Sequence, residues 1–367
     1  MAFYQNLKYY KNDPIYANKQ DWISSRLLTL RHDLKTQITN NRKANSLIIG
    51  SWNIRAFDGG MPRLDESYHY IAEIIDQFDI CAVQEIKSDL WPLKRLVKLL
   101  GPSWDYFVSD VSTHEGGNTE RMAFLYNKNK VVFRNLIGEI VLAKEDLVAG
   151  NQVARSPFFA SFQAGWFKFS LCSAHIIFGN DLNLRAKEVK AISKALVGRS
   201  EKEDQVHIFL GDMNIERKDG IIMKALKDSG LTVPEFGPTN MKGNMWFDQI
   251  AFTVKGKATR KTRLLRHGKF DWRHAVFGPH PYEDIVPFTD SERKLGMSRL
   301  DLETYLEHYK DKVDAVRKIY KKKPYKDFSK SYKGWTTHEM SDHLPIWIEL
   351  ETDYSDDYLR RYVKSEG

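Results

Sequence analysis

The sequence predicts an α/β domain in which two β-sheets pack together and helices cover the outside. Three observations predict it. Short apolar runs outnumber helical stretches but alternate with them along most of the chain. Many of these runs end or begin on a polar or ionisable residue. The composition, 42% hydrophobic and 28% charged over 367 residues, is that of a soluble globular protein with ample apolar content for a large core.

Taken in order, residues 21–40 repeat Ile23, Leu27, Leu30, Leu34 and Ile38 at helical steps, with Asp21 placed to cap the start. This N-terminal extension, 1–45, is expected to pack on the outside of a main domain spanning 46–352, with a tail at 353–367. "SLIIGSWNI" is the first strand. A helix follows through Tyr70, Ile71, Ile74, Ile75 and Phe78, then the strand "DICAVQE" and a helix over 89–100. "DYFVS", "RMAFLYN" and "KVVFRNLIGEIVL" read as strands, and "SPFFASFQAG" with "WFKFSLCSAHI" as a hairpin. A helix over 183–198 leads to "HIFLGDMNI", a short helix over 219–228 leads to "FDQIAFTV", and "LPIWIEL" is the last strand. Between the last two strands, 299–320 forms an amphipathic helix. Leu302, Leu306, Tyr309, Val313, Val316 and Tyr320 share one side, Ser298 is placed to cap it and Pro324 to stop it. No internal repeat is visible.

Cys81 and Cys172 lie inside apolar runs and read as buried thiols of a reducing compartment. With no apolar signal segment at the N-terminus and no run of spanning length, a cytoplasmic protein is expected. The net charge of +8 is uneven. Residues 255–333 hold 21 Lys/Arg against 11 Asp/Glu, and the rest of the chain is close to neutral. A local basic excess suits a polyanion such as nucleic acid or anionic lipid, or a solvated face that docks a protein partner.

The strand ends carry the chemistry. "SLIIGSWNI" ends near Asn53, "DICAVQE" at Glu85, "FSLCSAH" at His175, and "HIFLGDMN" at Asp212 and Asn214. "WFDQIAF" begins at Asp248, and "MSDHLPIWI" at Asp342 and His343. Such ends converge on one rim of a sheet domain, where a rigid scaffold holds functional groups. There is no Ser nucleophile elbow and no Gly-rich phosphate loop. Carboxylate and amide oxygens suit a hard cation such as Mg²⁺. A divalent ion with one histidine as base and another as acid suits attack of water on a phosphodiester. Each histidine then needs a carboxylate to orient it, and Glu120 and Asp248 are the candidates. Taken singly, Asn214 also reads as an Asx turn and His175 as a satisfied interior histidine.

In order, "WNI", "QE", "SAH", "GDMN", "FDQI" and "SDH" resemble the endonuclease/exonuclease/phosphatase superfamily. The nearest resemblance is to deoxyribonuclease I. It implies a four-layered α/β sandwich of two mainly antiparallel sheets flanked by helices, with 255–333 as a basic helical insertion. It also implies roles. Glu85 is the main metal ligand, helped by Asn53 and Asp342. Asp212 and Asn214 hold the water and the scissile phosphate. His343, oriented by Asp248, is base or transition-state stabiliser, and His175, oriented by Glu120, serves the leaving oxygen. "VARSPFFASF" resembles the arginine segment that contacts substrate, which places Arg155 at the phosphates. The abasic-site nucleases resembling exonuclease III lack a histidine at the position of His175.

The resemblance thus implies a Mg²⁺-dependent phosphodiesterase, with Mn²⁺ as the alternative ion, and most directly an endonuclease on DNA or RNA. The competing readings are a phosphatase or phosphodiesterase on a phosphoinositide, sphingolipid or small phosphorylated substrate, and an inactive binding module. The minor-groove-reading loop of deoxyribonuclease I is not reproduced in "STHEGGNTE". A nucleic-acid substrate is expected to meet the basic segment at Lys321, Lys322 and Lys323, with Tyr320 and Tyr325 free to stack on bases. A regulatory protein partner is a second expectation.

Overall fold

Residue alternation along the first strand sets the layering. In the computed structural model, which describes residues 2–12, 20–111, 119–254, 262–278 and 288–363, strand β1 spans Ser46–Phe57. Leu47 and Ile49 point to one of its faces and Ile48, Trp52 and Ile54 to the other, and all are buried. A strand buried on both faces lies between two layers. On one side Leu47 and Ile49 join Phe124, Phe162, Leu171 and Ile250 in a core between two sheets. On the other, Ile48, Trp52 and Ile54 lie under a layer of helices.

The first sheet takes β1, β2 (Ile80–Ile86), β3 (Trp104–Val108) and β4 (Arg121–Asn127), then β11 (Leu264–Lys269) and β12 (Ile346–Glu351) from far later in the chain. The second takes β5 (Val132–Glu139), β6 (Phe158–Ala164), β7 (Phe167–His175), β8 (Val206–Asp212), β9 (Leu231–Thr232) and β10 (Asp248–Thr253). Their strand orders, β11-β12-β1-β2-β4-β3 and β5-β6-β7-β8-β10-β9, follow one plan. Each has a central parallel pair, β1 with β2 and β7 with β8, among antiparallel neighbours. Parallel neighbours need a crossover. Helix α2 (Asp65–Ile75) makes the first, and α4 (Leu182–Ser200) the second. The carboxyl ends of both parallel pairs therefore lie at one rim.

Helices α1 (Gln20–Leu34), α2, α3 (Trp91–Leu100), α7 (Leu302–Ile319) and α8 (Phe328–Glu339) cover the first sheet. Helices α4 and α5 (Ile221–Lys227) cover the second. The short α6 (Asp290–Lys294) and α9 (Ser355–Arg360) complete the set among the described residues. The result is the expected four-layered sandwich.

Several local expectations are corrected. Helix α1 begins at Gln20, so Asp21 sits in its first turn rather than at the cap, and its last part, Lys35–Thr39, is wound as a π-helix. Asp301, not Ser298, caps α7, accepting from the Thr304 N–H at 2.8 Å. Ser298 instead accepts from the Arg26 guanidinium. Tyr320 does not share the buried face of α7; it lies past the last turn, 44% exposed. The basic segment is not purely helical, because β11 within it pairs antiparallel with β12. Helix α1 packs in the outer layer together with α7. Trp22 stacks on His308 of α7 at 3.7 Å between ring centroids, and Arg299 pairs with Asp33 at 2.7 Å. The "STHEGGN" part of the loop that departs from deoxyribonuclease I, 112–118, lies outside the described residues, as do 255–261 and 279–287 of the basic segment.

A fully buried ion pair, Lys312 to Glu66 at 2.8 Å, ties α7 to α2. Close by, Glu339 ends α8 and accepts from the Leu64 N–H at 2.8 Å and the Ser67 hydroxyl at 2.7 Å. Burial pushes its carboxyl up to about 7 against the partial opposition of these bonds and of Arg63. Between the ordinary glutamate value near ~4.3 and that raised value, the folded protein keeps a proton the unfolded chain releases. Stability therefore falls as pH rises through that window and levels off above it. Glu339→Gln, which keeps an acceptor but cannot ionise, is expected to flatten this slope. Urea denaturation at pH 5 and pH 8 checks it: the wild type should lose about 3 kcal/mol more than the variant across the window.

Candidate active site

Glu85, His175, Asp212 and Asp248 stand at or beside strand ends, Glu120 directly before β4, and Asn214, Asp342 and His343 within four residues of a strand. Asn53 lies inside β1 and Arg155 in the loop before β6; β-sheet register brings most of these residues together. His175 is paired with Asp212 across the parallel β7–β8 ladder, and Asp248 is paired with Asp212 across β8–β10. Asp212 thus lies between a histidine and a carboxylate on its two neighbours. The residue before it, Gly211, has φ +129, and a Cβ there would stand 2.0 Å from the Ala174 carbonyl oxygen. Only glycine allows β8 to approach β7 this closely. From the first sheet, Asn53 and Glu85 end the other parallel pair. The register of β1–β2 breaks after Asn53, and that of β2–β4 breaks before Ile86. Glu85 and Ala56 both have positive φ, 62° and 43°. These bulges turn Glu85 inward, as bulges beside sites commonly do.

The central atom is Asp212 Oδ2. Asn53 Nδ2 donates to it at 2.9 Å, His175 Nε2 lies 3.6 Å away and His343 Nε2 3.7 Å away. Each imidazole has a carboxylate behind it, hydrogen-bonded in the case of His343 and at ion-pair distance in the case of His175. His343 Nδ1 is 2.8 Å from Asp248 Oδ2, and His175 Nδ1 is 3.1 Å from Glu120 Oε2. Asn214, with φ 51°, donates its backbone N–H to Asp212 Oδ1 at 2.9 Å and its side-chain amide to the Ile176 carbonyl at 2.7 Å. It therefore closes an Asx turn led by Asp212 and is a rim residue as well.

Electrostatics follows from this packing. Burial raises the Asp212 carboxyl, but His343, His175 and the Asn214 and Asn53 donors outweigh it and hold it below its ordinary value. Burial likewise works against the His343 cation, yet Asp248 and Asp212 together raise that imidazole well above its ordinary value. Burial is the larger influence on Asp248, whose carboxyl is raised. Glu120 is lowered to about 2, because His175, Arg155 and Lys87 together overcome its burial. The rim thus holds an ionised carboxylate, Asp212, facing two carboxylate-backed imidazoles.

Among the described residues, Asp212, Asp248 and His343 form a buried group able to hold a metal, each offering an atom within 4.8 Å of the others. His343 and Asp248 already satisfy each other, however, so this trio reads better as proton-handling machinery. The fit for a divalent cation is better at Asn53 and Glu85. Asn53 Nδ2 donates to Glu85 Oε1 at 3.0 Å, while Asn53 Oδ1 is buried with no hydrogen-bond partner. A buried acceptor of this kind suits a hard cation. Asp342 stands at the edge, its side chain 46% exposed and 4.0 Å from Arg55. Arg155 is not spread on the surface: it is 6% exposed, donates to the His175 carbonyl at 3.1 Å and lies 3.6 Å from Glu120. Lys321, Lys322 and Lys323 are exposed past the end of α7, and Tyr325 is covered by the Arg317 guanidinium at 4.0 Å.

Sequence reasoning missed the supports. Thr239 donates to Asp248 Oδ2 at 2.6 Å, Ser341 donates to the Asn53 carbonyl at 2.6 Å, and Lys87 holds Glu120 at 3.0 Å. Gln84 of "QE" bridges the two sheets, donating to Ser173 at 3.0 Å. Only Gln84, beside Glu85 on a strand, had a local signal.

This fold and rim define a phosphoester hydrolase of the two-sheet sandwich type. A model of the Endonuclease/Exonuclease/phosphatase family matches residues 50–283, and the chain belongs to that family. No curated protein matches the sequence. Among solved structures, D. rerio TDP2 humanized by 14 mutations is 14% identical, with 84% of this chain and 99% of that chain covered and a TM-score of 0.51. The human Nocturnin catalytic domain with bound sulfate is 14% identical, with 84% and 94% covered and a TM-score of 0.50. The mannosyl-6-phosphatase Bt3783 of Bacteroides thetaiotaomicron is 17% identical, with 83% and 99% covered and a TM-score of 0.49. The first two likenesses establish the fold. No described helix is long and apolar enough to cross a membrane.

Proposed function

We propose that this chain is a divalent-metal-dependent nuclease that cleaves a phosphodiester bond of nucleic acid by attack of water. The observation that supports it most is the single oxygen, Asp212 Oδ2, facing two imidazoles that are each held by a separate carboxylate. Two proton-handling sides around one acceptor match a reaction that activates a water and serves a leaving oxygen. Glu85 and Asn53, with Asp342 at the edge, would hold Mg²⁺ or Mn²⁺, which supplies Lewis-acid charge stabilisation at the phosphate. Asp212, ionised, accepts a hydrogen bond from the attacking water, and Asn214 borders the same space. His343, held by Asp248, faces the charge that grows on the phosphoryl oxygens. His175, held by Glu120, donates to the leaving oxygen. Arg155 acts through Glu120 and His175 as a positioning residue. The two buried free thiols, Cys81 and Cys172, support a reducing compartment, the cytoplasm.

The experiment sets plasmid nicking beside phosphate release from phosphoinositides and a small monoester, each with Mg²⁺ and with EDTA. Nicking that EDTA abolishes is expected. Monoester or lipid turnover without cleavage of DNA or RNA would overturn the nuclease reading. A second measurement concerns the exposed basic turn. Changing Lys321, Lys322 and Lys323 together to Gln is expected to make the slope of log affinity against log salt shallower by about two to three units, through lost counterion release. An unchanged slope assigns that turn to a protein partner instead.

A further inference from the structure

Beyond the catalytic rim lies a cleft of about 530 Å³, within the size range of small-ligand sites. It opens just past the two strands that carry Asn53 and Glu85. Asp89, one of its lining residues, follows Glu85 by four residues, which spans at most about 13 Å at ~3.3 Å per residue. Its walls come from the 58–65 segment leading from β1 into α2, the start of α3 and the end of α7. The α7 wall, Val316, Ile319 and Tyr320, lies outside the family match at 50–283.

Two exposed aromatic side chains line this cleft, Trp91 at 56% and Tyr320 at 44% exposure. Trp91 is held in place. The Arg95 guanidinium lies 5.4 Å from the centre of its ring, and Tyr68 meets it edge-on at 6.5 Å. Arg95 is itself fixed by Asp65 at 2.6 Å. A pre-positioned flat ring costs little entropy when a second flat ring stacks on it. The lining also carries paired charges, Arg63 with Asp58 and Arg95 with Asp65. It carries Asp89 too, which accepts from the Trp91 N–H at 2.9 Å through one oxygen and has a second with which to accept from amino and imino groups. Phosphate-attracting charge follows directly in the chain, at the exposed Lys321, Lys322 and Lys323 after Tyr320. The chain turns sharply there, with Lys321 at φ 53° and the Lys322 N–H bonded to the Arg317 carbonyl at 2.8 Å. A cavity with exposed aromatic rings and polar groups of both kinds, beside a basic turn of the chain, is complementary to a nucleobase on a sugar–phosphate backbone.

We propose that this cleft binds an unpaired base of the substrate strand, stacked between Trp91 and Tyr320, and so selects single-stranded nucleic acid. The assignment rests on the nuclease reading and adds a specificity site to it. A base in a duplex is stacked on its neighbours and cannot enter; a splayed-out base can.

The test uses the full chain with Trp91→Ala, Tyr320→Ala and Trp91→Phe. Binding of a fluorescein-labelled single-stranded oligonucleotide is measured in EDTA, where no turnover occurs. Hydrolysis with Mg²⁺ is then measured for oligonucleotides of increasing length and for bis(p-nitrophenyl) phosphate. Each alanine variant should weaken oligonucleotide binding by about five- to one-hundred-fold, the range for loss of one base–aromatic stack. The kcat/KM ratio of long oligonucleotide to small diester should fall by a similar factor, through KM, and Trp91→Phe should restore most of it. Wild-type affinity in both alanine variants overturns the proposal, as does equal loss in Trp91→Phe and Trp91→Ala. The nuclease reading fails separately, if the wild type cleaves neither oligonucleotide nor small diester.

Discussion

Alanine at His175 is expected to lower kcat by roughly 10²–10⁴, the usual contribution of a positioned acid or base, with little change in KM. The imidazole lies 3.6 Å from Asp212 on one side and 3.1 Å from Glu120 on the other. It is buried at the end of β7, where the strand fixes its backbone. His343→Ala should be as severe, because His343 occupies the matching place 3.7 Å from the same oxygen. Asp248→Asn removes the charge behind His343 and should approach the alanine effect. Glu120→Gln gives the sharper measurement. If His175 works as an oriented acid, losing the charge behind it should move the basic limb of the pH–rate profile as well as lower the rate. A folded His175→Ala protein that cleaves at the wild-type rate would make this histidine purely structural and transfer the leaving-group role elsewhere.

The second large effect is expected at Glu85. Glu85→Gln should weaken apparent Mg²⁺ affinity by at least about 10–100-fold and lower activity sharply at limiting metal. The reason is local. Glu85 accepts from Asn53 and from the Ala56 N–H at 2.8 Å, so glutamine keeps a similar shape but loses the negative charge beside Asn53 Oδ1. The strained backbone, at φ 62°, is unchanged by the substitution. Thermal denaturation with and without Mn²⁺ gives a readout independent of turnover. The wild type should gain stability from the ion and the variant much less. A variant with wild-type metal dependence would move the cation to the Asp212, Asp248 and His343 group.

Much of the site was legible because most of its residues end or begin an apolar run. Asn53, Glu85, His175, Asp212 and Asp248 each interrupt a buried strand, which a reader of hydropathy sees at once. Thr239 and Ser341 do not. They sit in loops, and their importance comes from what folds against them, Asp248 and Asn53. Strand β11 was missed for a related reason. "LLRHGK" is polar at most positions, and its pairing with β12 makes it a strand. Helix α8 carries Phe328, Tyr332 and Trp335 at helical spacing, but Gly334 and two threonines blunt its intrinsic propensity, and burial decides. At α7, Ser298 and Asp301 are both capping residue types. The choice between them depends on where the first turn begins, which sequence pattern locates only to within a few residues. Trp91 shows the limit most clearly. Nothing in the local sequence marks it as exposed, and its place in the cleft between the 58–65 segment, α3 and α7 is set by tertiary packing.

The first sheet closes when Ser46 pairs with Glu351, so β1 stays unpartnered on that side until almost all of the described chain exists. His343 arrives just before that closing strand. During synthesis the second sheet can assemble first, since its strands are contiguous in the chain, and domains fold as their segments emerge. A nascent chain that ends between residues 212 and 342 contains Glu85, His175 and Asp212 but lacks His343, one of the two imidazoles. Such truncated chains therefore carry an incomplete rim, and the set of residues facing Asp212 is whole only once the last core strand is in place.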